Sequence, residues 1–363
     1  MRKALIVIAA LCAALSCKQA PRPPRPTIAL VHSIVEDTTG IRSMVEREKG
    51  ADGAIALIGD PADVAVLSHL FRTRDRADNV DGRQKRDSLP DFAGESFQAI
   101  LDTYNAPYSH FLGEGCSTDS LREAAVMGAL AAWDTTSFRA STDARAKLRK
   151  ASAKILIYTS SLQKEFGLFD VDTLLQLTGG QCPVLNPVDV ILRRAKADGA
   201  RNLAVWAPRA VKDARVWEKA LGHQPQLTLS VHTPGEAVDI RNRLRDVLRQ
   251  YLVTGLPLDA LIIDSYDADE APILAEIKLI RLGGTEEDQA FSEMLSKNFR
   301  IYNPADALAD STYALLRKEN LFTHQIAWPQ VKYYETQENE AGQVVLVEVG
   351  STYVKNTYVP ELH

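Results

Sequence analysis

Cysteine and methionine are scarce in this 363-residue chain, four of each, and aromatic residues make up only 7%. The few cysteines exclude a disulfide-dense scaffold. No apolar run is longer than twelve residues, at positions 4–15, where a helix rises about 18 Å against the ~30 Å core of a bilayer. That excludes a polytopic membrane protein. Strong charge of one sign is also missing: 42 Lys and Arg face 47 Asp and Glu, a net −5. A mildly acidic chain is a poor general nucleic-acid binder, and no nucleic-acid partner is expected. Motifs are absent as well. There is no Gly-Lys-Ser/Thr phosphate loop, no His-Glu-x-x-His, no Gly-x-Ser-x-Gly, and the seven histidines lack metal-ligand spacing. No cofactor and no metal is expected.

What is present begins with an address. Arg2 and Lys3 precede the apolar run, the pattern of a signal peptide over residues 1–16. Ala13-Ala14-Leu15-Ser16-Cys17 resembles a bacterial lipoprotein cleavage box, which implies lipidation, as with palmitate, at Cys17. Ordinary secretion is the alternative. Four prolines within residues 17–26 make an extended tether. The expectation is a protein held by its lipid anchor to a bacterial envelope membrane, facing the periplasm from the outer membrane. Cys116 and Cys182 then remain, and three readings stay open: a disulfide worth roughly 4 kcal/mol, two unpaired thiols, or a catalytic pair.

From residue 27 strand-like and helix-like segments alternate. Short apolar runs such as GAIALI (53–58), KILIYT (154–159), NLAVWA (202–207) and LDALIID (258–264) read as buried strands. TIALVHS (27–33) reads the same way, and 109–112 as a short strand. Helices are expected at 40–49, 92–104, 117–133, 142–152, 187–198, 209–221, 234–253, 268–281 and 304–318. The charged stretch 75–91 reads as a solvated surface insertion. Residues 331–336 and 344–349 read as a hairpin. The fold class expected is α/β, two doubly wound parallel-sheet lobes with a C-terminal β-hairpin. The lobes cover 27–160 and 187–322, with a hinge or crossover at 161–186 and a hairpin and tail at 323–363.

Ligands bind beyond the carboxyl ends of strands in such sheets. Counting strand ends gives candidates in the first lobe: His32, Ser33, Asp60, Glu114, Ser117, Thr118, Ser160 and Ser161. The second lobe contributes Arg209, His232, Thr233, Asp264, Ser265, Tyr266, Asp267 and Asn303. Several have an alternative use as helix caps, Thr118 and Thr233 among them.

Lys196-Ala197-Asp198-Gly199-Ala200, the strand NLAVWA, the long helix and Leu258 to Asp264 resemble the second lobe of type I periplasmic binding proteins. That resemblance implies a small polar ligand held between lobes, with Asp264, Ser265 and Asp267 at the cleft, and a transporter or sensor protein as partner. A second resemblance is to the aspartate/glutamate racemase family, which uses one cysteine per lobe as acid and base. It puts Cys116 in the first role. The second thiol should follow strand 258–263, where the family has Gly-Cys-Thr-His and this chain has Asp264-Ser265-Tyr266-Asp267. The expected function is thus a solute-binding protein. An enzyme on a racemase-like two-lobe fold and a structural envelope lipoprotein are the alternatives.

Overall fold

A computed structural model describes residues 26–79, 81–113, 115–139, 147–222, 226–235, 239–323 and 327–351. Its architecture is α/β with two sheets, as the alternating pattern requires. The first sheet holds β1 (Ala54–Gly59), β2 (Ser96–Leu101), β3 (Thr136–Phe138), β4 (Lys147–Arg149), β5 (Ala153–Tyr158), β6 (Val184–Leu185), β11 (Gln330–Glu338) and β12 (Val344–Ser351). Their order is β4-β3-β12-β11-β2-β1-β5-β6. The second sheet orders β10 (Leu295–Tyr302), β9 (Leu258–Ile263), β7 (Asn202–Trp206) and β8 (Thr228–His232), all parallel.

The central strands are legible because helices cover both faces, so every residue of β1 and of β5 is buried. Helices α3 (Pro61–Thr73) and α7 (Pro187–Ala197) start where the sequence places caps, and α4 (Thr118–Trp133) is capped by Ser117 rather than by Thr118. Asp60 accepts from the Ala62 N–H, Ser117 from Asp119, and Asn186 from Asp189, with proline in the first turn of α3 and α7.

Four expected elements differ. Residues 27–33 form no strand but helix α1 (Ala29–Val35), because Ile28, Val31 and Ile34 recur every three residues and are the ones buried. The 92–104 segment yields strand β2, locked in register between β1 (Ile55↔Phe97) and β11 (Val331↔Phe97). A continuous apolar run this short has no period that separates helix from strand. Residues 109–112 lie in a 3-10 turn (Tyr108–Leu112). Of 142–152, the described part forms β4, antiparallel to β3. The hairpin exists, and it is no appendage: β11 inserts beside β2 and extends the first sheet.

Residues 161–186 fold as α5 (Ser161–Phe166), α6 (Leu168–Thr178) and β6, which pairs with β5 at Leu156↔Val184. They are packed into the first lobe. α2 (Ile41–Glu46) and α1 lie over α6 on the outer face of the first sheet.

One apolar core runs through both lobes. It joins Ile55, Leu57, Phe97 and Ile157 of the first sheet to Leu203, Val205 and Ile262 of the second. Between them lie Val188 and Ile191 of α7 and Leu308 and Leu316 of α13 (Pro304–Lys318). Separate clusters fill the outer face of each sheet. The 75–91 insertion also ties the lobes. Asp91, almost fully buried, accepts from the Arg76 and Ala77 N–H groups, and Arg76 pairs with Asp306 of α13. Gly82 holds a positive φ of 73° against the Arg317 guanidinium, where a Cβ would collide.

Candidate functional site

The carboxyl ends of β1, β5 and β9 meet between the lobes. Asp264 ends β9 and is 8% exposed. Its Oδ1 accepts from Ser161 Oγ at 2.8 Å across the lobe boundary, and its Oδ2 from the Trp217 indole N–H at 2.7 Å. Ser161 opens α5, and Trp217 lies fully buried in α9 (Val216–Leu221). Burial pushes the Asp264 carboxyl above its ordinary range, and these two donors pull it partly back. Two residues on, Tyr266 reaches the first lobe and donates to the Thr159 carbonyl at 3.1 Å. Burial raises its hydroxyl well above 10, with Asp63 and Asp264 adding to the shift.

Asp63 faces this pair from the first turn of α3. It is half-buried, and among the described residues no donor meets its carboxyl. Its pKa is pushed up to about 8 by burial first, then by the negative charges of Asp60, Asp264 and Asp267. At neutral pH it carries a proton. Nearby polar groups are also unmatched: Thr159 Oγ1 is buried without a partner, and so are both amide atoms of Gln163 in α5. Buried polar atoms are rarely left so unless water or a ligand meets them. At the end of β2, Asp102 is saturated by Tyr108 Oη at 2.8 Å, Asn105 and Thr336.

The structure sorts the sequence candidates. Asp60, Ser160, Asp264, Ser265 and Asp267 gather here. Asp60 and Ser160 serve as helix caps, and Ser265 Oγ donates to Asp267. His32 and Ser33 do not join them: they are exposed on α1, and Ser33 bonds back to the Leu30 carbonyl. Arg209 is exposed and pairs with Asp213 at 3.4 Å. His232 is buried two strands from β9, bonded to Ser230 and edge-on to Tyr251. Ser117 and Thr118 are exposed at the start of α4, where Ser117 is the cap. Glu114 and Cys17 lie outside the described residues.

Of the three readings left open for the cysteines, the disulfide is not formed: Cys116 and Cys182 are both free, one exposed and one buried. Cys116 sits on the loop before α4, not at a strand end. Burial raises the Cys182 thiol to about 11. Sequence reading missed Asp63, Thr159 and Trp217. Asp63 and Thr159 had a signal, Asp63 as a second acid just past the β1 end in Gly59-Asp60-Pro61-Ala62-Asp63 and Thr159 as the residue that follows β5. Among the described residues no three His, Cys, Asp or Glu side chains form a metal-holding group, and no helix is long and apolar enough to cross a membrane.

Two α/β lobes joined by a common core, with an acidic site between them, define the class of this protein. No family model matches the chain, and no curated protein matches it. Solved structures do. The chain is similar to glutamate racemase RacE1 from Bacillus anthracis, at 17% identity and TM-score 0.48, over 78% of this chain and 89% of that one. It is similar to glutamate racemase from Francisella tularensis, at 13% identity and TM-score 0.47, over 79% and 89%. Arylmalonate decarboxylase follows at 13% identity and TM-score 0.38, over 73% and 92%.

The names of these three are those of enzymes, and none is a palmitate-bearing lipoprotein or a solute-binding protein. A binding protein of that type closes about a hinge. Here 161–186 is packed structure, and an unbroken apolar core joins the lobes.

Proposed function

We propose that this protein is an enzyme, and that its reaction is a proton transfer on a small substrate at the interlobe site. The observation that carries this is Asp63: a carboxyl with no donor, half-buried, and shifted to about 8 by burial and three neighbouring carboxylates. A group that titrates near neutrality and has no structural partner is poised to give and take a proton. Asp264 does not compete for that role, because Ser161 and Trp217 occupy both its oxygens. It fixes the geometry and supplies negative charge that keeps Asp63 protonated. No thiol takes part, since Cys116 is exposed on the loop before α4 and Cys182 is buried in the first lobe's outer cluster.

The test is solvent exchange. Amino acids and substituted malonates are incubated with the protein in deuterated water, and loss of the activated C–H is followed by proton NMR. Exchange by the wild type that disappears in Asp63→Asn and persists in Cys116→Ser supports the proposal. Exchange that survives Asp63→Asn, or no exchange with any of these carbon acids, refutes it.

A further inference from the structure

A cavity lies on the opposite face of the first sheet, away from the second lobe. It measures about 470 Å³, within the range of small-molecule sites. Its space comes from small residues: α4 presents Ala124, Gly128 and Ala131 where larger side chains would fill the gap. At Gly128 a Cβ would stand 2.9 Å from Ile58 Cγ2. The body of the wall is apolar, with Met44, Ile100, Met127, Leu130, Phe138 and Leu346. The charged groups in the wall are two carboxylates, Asp102 and Asp134, and no Lys, Arg or His lines it among the described residues.

The two carboxylates differ. Asp102 accepts from Tyr108, Asn105 and Thr336 and has little left to offer. Asp134 takes the Thr136 N–H and hydroxyl on Oδ1 alone, at 2.8 and 2.9 Å, which leaves Oδ2 without a donor among the described residues. Lys150 is the cation that acts on Asp134, but its ammonium is spent on Gln98 Oε1 and the Ala132 carbonyl. An apolar chamber with an open carboxylate oxygen favours a ligand with a hydrocarbon body and a positive, donating end.

We infer that this cavity is a binding site for a small cationic amphiphile, its hydrocarbon part between α4 and the sheet and its ammonium on Asp134. The site is independent of the interlobe proton-transfer site.

Calorimetric titration of the full chain at pH 7.5 with octylammonium, octanol and octanoate tests this. The expected result is one octylammonium per chain, bound at least about tenfold tighter than the other two, a difference of about 1.4 kcal/mol. Asp134→Asn should reduce octylammonium to the level of octanol. Met127→Trp and Ala131→Trp fill the cavity and should abolish binding, and whichever keeps the native circular dichroism decides. Equal binding of octanol, tighter binding of octanoate, binding that survives the filled cavity, or no binding at all because the chain itself occupies it would each overturn the inference.

Discussion

Replacing Asp63 by Asn should make this protein more stable, and by an amount that depends on pH. In the folded state the carboxyl titrates near 8, against an ordinary 3.8. The sign follows from proton linkage. Below about pH 4 both folded and unfolded chains hold the proton, and the group contributes nothing. Between about pH 4 and 8 the unfolded chain releases it and the folded one does not, so stability falls as pH rises. The full shift corresponds to an upper bound of about 6 kcal/mol at 1.36 kcal/mol per pH unit. Solvent reaches the half-buried side chain, so we expect about 2 kcal/mol at pH 8. Asn keeps the shape and neutrality of the protonated acid and has no proton to lose. Urea unfolding of wild type and Asp63→Asn at pH 4.5, 6, 7 and 8 measures the difference directly. The gain should be near zero at pH 4.5 and grow steadily towards pH 8. A gain that does not vary with pH, or a loss at pH 8, would refute the placement of Asp63 among the three other carboxylates.

Three further expectations follow from the same contacts. Asp264→Ala strips the partner from both Ser161 and the buried Trp217 N–H and should cost about 3 kcal/mol in urea unfolding, with the lobes loosening first in hydrogen exchange at α5 and α9. Cys116 should react with a thiol reagent in the native protein while Cys182 reacts only on unfolding, as peptide mapping by mass spectrometry would show. Burial lowers Lys150 to about 7, so the folded chain sheds this proton before the unfolded chain does. Stability should therefore rise from about pH 7 to 10 on account of this group, and that rise should be missing in Lys150→Met.

The sequence carried the central architecture because buried parallel strands leave an unmistakable trace. AIALIG, AKILIY, NLAVW and LDALII are apolar apart from Lys154, Asn202 and Asp259, and Asp60 and Asn186, each followed by proline, announce the helices that follow them. Where length and period fell short, local pattern misled. The seven residues TIALVHS fit a strand as well as one buried helical face, and only packing of Val31 and Ile34 against the first lobe settles it. Strand β2 owes its state to two neighbours that come from positions 54–59 and 330–338, and no window of sequence sees both. The site was half legible for the same reason. Asp264 and Asp267 stand at a strand end, which counting finds. Asp63 becomes chemically distinct only when a chain segment two hundred residues later brings its carboxylates alongside.

Proximity of that kind is costly, and the rest of the interlobe boundary explains how it is held. Four acids close together repel, and one of them is kept neutral by burial rather than by a partner. Left to themselves the lobes would part there. Opposing this are the shared core, the Ser161 and Trp217 bonds to Asp264, and Tyr266 on the Thr159 carbonyl. The Lys219–Glu165 ion pair and the buried Arg74 bridge to Asp91 and Asp310 add to them. All of these pull across or beside the same seam. A structural protein would gain by losing the unmatched acid, as the Asn substitution is expected to show. The proposed proton transfer would account for a chain that keeps Asp63 at that cost, with bonds arranged around it to bear the strain.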